Sequence, residues 1–397
     1  MSNNHRHTIA YSLLQGSMWG FYAIVLGFAG NFLYRYGFQD SGISLLLGFS
    51  TGAACVLQLA AAEAISRFKK VTTTGVLLLM GCFMVLGAAV MALSTAAVFA
   101  VAGLSLTCAV LQAIPAMGNA IAVTAINRGS PTNYDIARGI GSAAYSFFAF
   151  ITGRLVSRFG TPAIAALALL NGAVFLLSVV WYARLTRDGG DAPAVLPAKP
   201  EKSRGFLLSH KPFALFLLGS ILLFISHNLV CNFMLQIISF KGGNAAHQGT
   251  ATAIAAFTEL PVMFGFALLL KWKPSSSLVK LSGIFFAVKA LALAAAPDHL
   301  WVYGAQTLQL LGFALFAIAS VHYARGTVEV SETVRAQSYL ASTSTIGSLV
   351  ATSTGGFLCQ FLGVQTMILT AAAFAAAGAA VVALGINLGK RSQLLFD

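Results

Sequence analysis

The chain has 397 residues, of which 58% are hydrophobic and only 9% are charged, and its mean hydropathy is +0.82. A soluble domain carries about 25% charged residues, so this composition excludes an ordinary soluble protein and predicts a polytopic membrane protein. The formal net charge of +13 does not indicate nucleic-acid binding, because the basic residues lie in short clusters between apolar segments.

Apolar segments separated by helix breakers predict twelve membrane-spanning helices. In chain order they cover residues 8–36, 41–66, 71–93, 96–126, 135–158, 162–184, 212–240, 247–270, 277–296, 300–324, 334–361 and 364–388. The long polar segment 185–211 is predicted to be a flexible linker. We therefore expect an all-α polytopic membrane protein with two pseudo-symmetric six-helix bundles, over residues 1–184 and 212–397.

The orientation of the helices follows from the basic residues. The N-terminal sequence lacks the small-residue cleavage site of a signal peptide, so its first apolar segment is predicted to be retained as a helix. An even number of helices puts both termini on one side of the membrane. About 18 of the 24 Lys and Arg residues fall on that side, which predicts cytoplasmic termini and a cytoplasmic linker.

Short sequence matches relate the two predicted bundles. Gly16-Ser17 recurs as Gly219-Ser220, and GRLVSRFG at residues 153–160 recurs as GFLCQFLG at residues 356–363. Both matches have an offset of about 200 residues, which is the internal symmetry typical of transporters with a substrate site between two repeats.

The eighth predicted helix contains an acid near its middle, Glu259, followed by Pro261. A carboxylate at that depth costs about 2.5–3.5 kcal/mol, so it is predicted to face a cavity or a partner. The proline removes one backbone donor and allows the helix to bend there. Because Glu63 and Asp135 are predicted near cytoplasmic ends, Glu259 is the acid expected at mid-depth. It is either a proton switch or half of a permanent ion pair.

Lys289 is the predicted partner of Glu259. The eighth and ninth helices form a hairpin that turns near Pro274, so residues about 15 positions on either side of the turn lie at similar depth. Protonation of Glu259 or arrival of an anionic substrate would then break the pair and bias two conformations. The alternative is that Lys289 snorkels to the surface or only stabilises the fold.

Two further residues have open interpretations. Arg138, three positions after Asp135, either pairs with it as a cytoplasmic gate or topology anchor, or donates to a carboxylate or hydroxyl of the substrate. His227, next to Asn228, is either a hydrogen-bonded structural residue or a proton carrier, because histidine titrates near neutral pH. His322 is a weaker candidate near a cytoplasmic end.

Aromatic and amide side chains complete a predicted substrate pocket, since ligand pockets combine aromatic walls with a few polar groups. They are Trp19, Tyr22, Asn31, Asn119, Tyr145, Asn232, Gln236, Gln306 and Gln309. The sequence contains no Ser/His/Asp, metal-ligand or phosphate-loop arrangement, and its five cysteines lack CxxC or His-rich spacing. It therefore predicts no enzyme, no metal site and no disulfide framework.

Several segments carry a family resemblance over nearly the whole chain. They are Pro115-Ala116, residues 133–153, residues 247–260, the residues around Lys289, Tyr323, and Val328-Glu329-Val330. The chain resembles the major facilitator superfamily, and specifically the oligosaccharide and phenylpropionate proton symporter branch that includes lactose permease. This resemblance implies that Glu259 and Arg138 belong to the substrate site and Lys289 to the coupling network.

The resemblance fails in two helices. In the tenth, Gln306, Gln309 and Gly312 stand where lactose permease has its Lys, His and Glu for proton translocation. In the fourth, Gly118 or Asn119 replaces an acid. Lactose is therefore not the expected substrate, and the proton route is expected to differ.

These observations predict a proton-coupled symporter of a small polar or anionic organic solute that works by alternating access. A phenylpropionate-like acid, a glycoside, a nucleoside or an amino-acid-derived metabolite would fit. A proton-driven exporter is the alternative, and a non-transporting sensor is a third class. We expect a monomer in a bacterial inner membrane whose partners are its solute, protons and lipid, with no nucleic acid and no cofactor beyond the proton gradient.

Overall fold

The computed structural model describes residues 3–68, 70–186, 205–329 and 332–393, and these form twelve long helices. The helices are α1 (Asn3–Phe21, continued by Tyr22–Leu26 and Ala29–Tyr34), α2 (Asp40–Arg67), α3 (Thr73–Leu93), α4 (Ala97–Asn127), α5 (Tyr134–Phe159), α6 (Pro162–Thr186), α7 (Lys211–Asn232, continued by Met234–Phe240), α8 (Ala245–Trp272), α9 (Ser275–Ala295), α10 (His299–Thr307, continued by Leu310–Ala314 and Leu315–Thr327), α11 (Thr333–Phe357, continued by Leu358–Leu362) and α12 (Val364–Gln393). A short helix, Phe206–Ser209, precedes α7. Most of the predicted linker, residues 187–204, lies outside the described residues, as does Val330.

The predicted all-α membrane fold is confirmed. Eleven helices of the described ranges are long and apolar enough to cross a membrane. The twelfth long helix, α5, has 26 residues and carries more charge, with Asp135, Arg138, Arg154 and Arg158 along its length. α8 continues through Pro261, which lies inside the helix.

Contacts divide the chain into two compact units. The first contains Met1–Leu196 together with Asn244–Phe257, and the second contains Pro197–Gly243 together with Thr258–Asp397. In the first unit α1 packs on α5 and α6, while α3 packs on α4 and α6. A buried hydrogen bond supports the contact of α6 with α1, because Nδ2 of Asn171 donates to the carbonyl oxygen of Ser17 over 2.7 Å.

The second unit repeats this packing order. Here α7 packs on α11 and α12, while α9 packs on α10 and α12. Each helix pair corresponds to a pair six helices earlier in the first unit, which is the arrangement that an internal duplication produces. The core of the second unit contains the fully buried rings of Phe213, Phe216 and Phe316.

Several helices depart from regular α geometry. α1, α10 and α11 each contain a π-helical turn, at Tyr22–Leu26, Leu310–Ala314 and Leu358–Leu362. α7 is interrupted at Phe233, where φ is −109° and ψ is 26°. Such π-helical turns are often found at functional sites, and two of these three lie beside residues of the predicted pocket.

Candidate functional site

Each of the two units contains a cluster of polar side chains within its membrane-spanning helices. The cluster in the second unit contains Glu259 of α8, Lys289 of α9 and Gln309 of α10. The cluster in the first unit is built around Trp19 of α1 and Arg138 of α5. Both clusters therefore contain residues that the sequence predicts to be functional.

Gln309 connects the two charged residues of the second unit. Nζ of Lys289 donates to Oε1 of Gln309 over 2.5 Å, and Nε2 of Gln309 donates to Oε1 of Glu259 over 3.0 Å. Lys289 and Gln309 are only 6% and 3% exposed, whereas Glu259 is half-buried. The structure thus brings the predicted partners Lys289 and Glu259 into one cluster, with an amide between the two charges.

The positions of these residues along their helices explain why they meet. Glu259 lies near the middle of α8, and Lys289 lies in α9, the next helix of the chain. Gln309 immediately precedes the π-helical turn of α10 at Leu310–Ala314. Because a π-helical turn changes the directions of the side chains around it, the sequence spacing of α10 alone does not predict where Gln309 points.

His227 of α7 lies beside the same cluster. Its ring stacks on Phe313, with centroids 4.1 Å apart and 4° between the planes. His227, Lys289 and Gln309 line one cavity of about 10 Å³. One helical turn after His227, Sγ of Cys231 lies 3.7 Å from both of its ring nitrogens. The structure therefore places His227 next to the charged cluster and shows an aromatic partner that the sequence did not predict.

Three other predicted residues of the second unit have different surroundings. Gln306 is 1% exposed, and its Nε2 lies 3.3 Å from Sδ of Met234. Its Oε1 is buried and has no hydrogen-bond partner among the described residues. Gln236 is buried in the short helix that continues α7, whereas Asn232 is exposed at the preceding break. Gln306 is therefore a buried amide with an unused acceptor in the described part of the chain.

Arg138 covers the ring of Trp19 in the first unit. Its Cζ lies 4.5 Å from the centre of the ring, and Nη1 donates to Oγ of Ser142 over 3.1 Å. Such a cation–π contact is favourable where the ring face is shielded from water. Gly141 makes the approach of the two helices possible, because a Cβ added there would lie 2.7 Å from Cδ1 of Trp19. The result is a cationic group fixed over an aromatic surface.

Gln15 is a residue of this cluster that sequence analysis missed. It is fully buried, and its Oε1 accepts from Nε1 of Trp19 over 3.0 Å. Its Nε2 donates to the hydroxyl of Tyr11 over 2.5 Å and to Oδ1 of Asn119 over 3.2 Å. Gln15 thus fixes the Trp19 ring and joins α1 to the predicted pocket residue Asn119. The spacing of Tyr11, Gln15 and Trp19, four residues apart on one helix face, was the available signal.

The remaining predicted residues of the first unit are Tyr22, Tyr145 and Asn31. Tyr22 extends the aromatic surface, because its ring centroid is 5.2 Å from that of Trp19. Tyr145 packs against a small buried cluster that includes Ala149. Asn31 is half-buried, and its Oδ1 has no hydrogen-bond partner within the described ranges. Tyr22 therefore belongs to the Trp19 cluster through a direct contact of the two rings.

The described residues contain no group of three or more His, Cys, Asp or Glu side chains that could hold a metal ion. The polar groups of the two clusters include a buried ammonium, a half-buried carboxylate and buried amides, which can form hydrogen bonds.

Sequence comparison assigns most of the chain to one family model. The model described as "MFS_1 like family" matches residues 12–376. No curated protein matches the chain.

Solved structures of three transporters are similar in fold. The nucleoside transporter NupG is 15% identical, with a TM-score of 0.72 over 98% of this chain and 99% of that one. A bacterial homologue of the human lysosomal transporter Spinster, in an inward-facing and unoccupied conformation, is 11% identical, with a TM-score of 0.67 over 98% of both chains. The human organic anion transporter MFSD10 is 14% identical, with a TM-score of 0.65 over 96% of this chain and 100% of that one. At these identities the similarity shows the fold.

Proposed function

The chain belongs to the MFS_1-like family and is a transporter of the major facilitator superfamily, not an enzyme, and we propose that it is a proton-coupled symporter of a small polar or anionic organic solute. It would work by alternating access, and its two six-helix bundles would cover residues 1–184 and 212–397. The oligosaccharide and phenylpropionate branch is the part of the superfamily that the sequence resembles.

The observation that carries the proposal is the Glu259–Gln309–Lys289 cluster. A half-buried acid is linked through one amide to a buried cation within membrane-spanning helices. Charged groups in such positions are costly and are usually retained for function. Binding of a proton to Glu259 removes one of the two charges, so the protonated and deprotonated states differ in free energy within this cluster. A difference of this kind is what lets proton binding shift a conformational equilibrium. We also propose that His227 takes part in proton coupling, because it lines the same small cavity as Lys289 and Gln309.

The proposed solute class follows from the first unit. Arg138 over Trp19 offers a cation next to an aromatic surface, and Tyr22 enlarges that surface. This combination suits an aromatic carboxylate, or a solute with a flat ring and several hydroxyls. NupG is a nucleoside transporter and MFSD10 an organic anion transporter, which makes one compound of each class a sensible probe. Asn31, Asn119, Tyr145, Asn232, Gln236 and Gln306 are proposed as further pocket residues.

The remaining parts of the proposal concern its setting. We propose that the protein is a monomer in a bacterial inner membrane. Its termini are proposed to be cytoplasmic, because its basic residues are concentrated on one side of the predicted helices. Its partners are the solute, protons and lipid. It uses the proton gradient and requires no bound cofactor.

Tracer uptake into proteoliposomes tests the proposal. The probes are radiolabelled 3-phenylpropionate and uridine, with an imposed gradient that is acid outside. Relative to protein-free liposomes, into which the neutral form of phenylpropionic acid diffuses, the wild-type protein is expected to concentrate at least one probe, and a protonophore is expected to abolish this. Glu259→Gln should remove proton-driven accumulation, whereas the matched control Glu63→Gln, at an exposed acid of α2, should retain it.

Two outcomes would contradict this assignment. Accumulation only when the interior is acid would establish the alternative, a proton-driven exporter. Binding of a probe with no flux under either gradient would establish a sensor.

A further inference from the structure

The orientation of the Gln309 amide is fixed by the chemistry of its two neighbours. An ammonium group has three donors and no acceptor, so the group that faces Lys289 must be the carbonyl oxygen of Gln309. The amide nitrogen then faces Glu259, whose ionised carboxylate can only accept. Each end of one amide therefore matches the charge next to it, and a flipped amide would match neither.

The position of Gln309 is also restrained. The side chain is 3% exposed, so it has little room to change rotamer. Its backbone carbonyl accepts a hydrogen bond from the backbone nitrogen of Ala314 over 3.1 Å, which closes the π-helical turn. Among the described residues, Gln309 is the only hydrogen-bond acceptor of the Lys289 side chain. Lys289 thus depends on Gln309 for its position.

Few other side chains could replace Gln309 in this role. The side chain must donate on one side and accept on the other while carrying no charge, which only Asn and Gln do with a planar amide. Leucine would remove both hydrogen bonds. Glutamate would still accept from Lys289 but would place a second carboxylate beside Glu259, where like charges disfavour each other.

We propose that Gln309 is the positioning residue of the charged cluster, and that it transmits the charge state of Glu259 to Lys289 instead of contacting solute. Protonation of Glu259 turns a charge-assisted hydrogen bond into a weaker neutral one, and the same amide holds Lys289. The link to proton movement rests on the proposed function. The titratable groups around the amide are Glu259 of α8, Lys289 of α9, and His227 and Cys231 of α7.

A set of melting measurements on purified protein, without any solute, tests whether Gln309 links Glu259 to Lys289. Lys289→Met, Glu259→Gln and the double variant are compared in the wild-type and the Gln309→Leu backgrounds. With Gln309 present, the double variant is expected to melt at least about 3 °C higher than the sum of the single effects predicts, because the two sites are coupled. In the Gln309→Leu background, where the amide between the two sites is removed, that non-additivity should fall to within about 1 °C.

The matched control is Gln365→Leu in the same unit. Gln365 donates to the carbonyl oxygen of Ala294 and belongs to neither polar cluster. This background should keep the full non-additivity. Equal non-additivity in the Gln309→Leu and wild-type backgrounds would overturn the proposal, because the charges would then be coupled without the amide. If Gln309→Leu does not fold, Gln309→Met, which keeps the length of the side chain but removes the amide, replaces it in the same comparison with the same criterion.

Transport supplies a readout that a purely structural role would not change. Proton-driven accumulation of the transported probe should fall at least about tenfold in Gln309→Leu, the effect of losing a hydrogen bond to a charged group. Counterflow of the same probe, which needs binding but no net proton movement, should persist. Loss of counterflow and accumulation together would instead assign Gln309 to the solute site. If the wild-type protein moves neither probe, the proposed function fails for these solutes. The melting comparison still tests whether Gln309 links Glu259 to Lys289.

Discussion

Helices α7 and α12 touch at glycines, and replacing one of these glycines should weaken the second unit measurably. A Cβ added at Gly219 would lie 2.6 Å from the backbone nitrogen of Val382 and 2.8 Å from the carbonyl oxygen of Gly378. Ordinary contact begins at 3.4 Å, so the two helices would have to separate by about 0.8 Å. Backbone atoms cannot move aside as a flexible side chain can.

The expected cost of Gly219→Ala is therefore that of overpacking a tight core, about 1–3 kcal/mol. At about 2–4 °C per kcal/mol for a unit of this size, the melting temperature should fall by about 2–12 °C. A thiol-reactive fluorophore can report the transition as labelling above that of the exposed Cys82 and Cys231, because Cys108 and Cys359 are buried in the folded protein. The matched control is Gly304→Ala in α10, where an added Cβ meets nothing within 4 Å. If both variants melt within about 1 °C of wild type, the close approach of α7 and α12 is refuted.

Three further outcomes are expected. Arg138→Met should lower the melting temperature by the equivalent of about 1–2 kcal/mol, because it removes the cation over Trp19. Arg138→Lys should recover only part of that loss, and equal melting of wild type and both variants would contradict the contact. His227→Phe can keep the stack on Phe313 and should melt like wild type while losing proton-driven accumulation of the probe; unchanged accumulation would show that His227 takes no part in proton coupling. Asn171→Leu should cost about 1–3 kcal/mol because a buried carbonyl loses its donor, and unchanged melting would show that this bond is not needed.

The architecture was predictable because it depends on average hydropathy over long segments. A window of about 20 apolar residues is sufficient to indicate a spanning helix, whatever its neighbours are. α5 is less clearly indicated by hydropathy. Its arginines lower the mean hydropathy of the segment, although the helix is 26 residues long. The exact ends and the π-helical turns depend on local backbone geometry, which hydropathy does not report.

The candidate site was only partly predictable. The hairpin of α8 and α9 was enough to place Lys289 at the depth of Glu259. That an amide from α10 would lie between the charges depends on the rotation of a third helix and on its π-helical turn. In the first unit Arg138 and Trp19 were both candidates, but their contact requires the small residue Gly141 opposite the ring. Contacts between helices that are distant in sequence therefore could not be predicted from this sequence alone.

Measuring the protons themselves decides whether Glu259 couples solute movement to proton movement. Proteoliposomes that contain a trapped pH-sensitive dye are mixed with the transported probe, without an imposed gradient, with wild type or Glu259→Gln. Beyond the change in protein-free vesicles, solute entry is expected to acidify the interior with wild type and to cause no further acidification with the variant. Equal additional acidification by both proteins would contradict this role of Glu259.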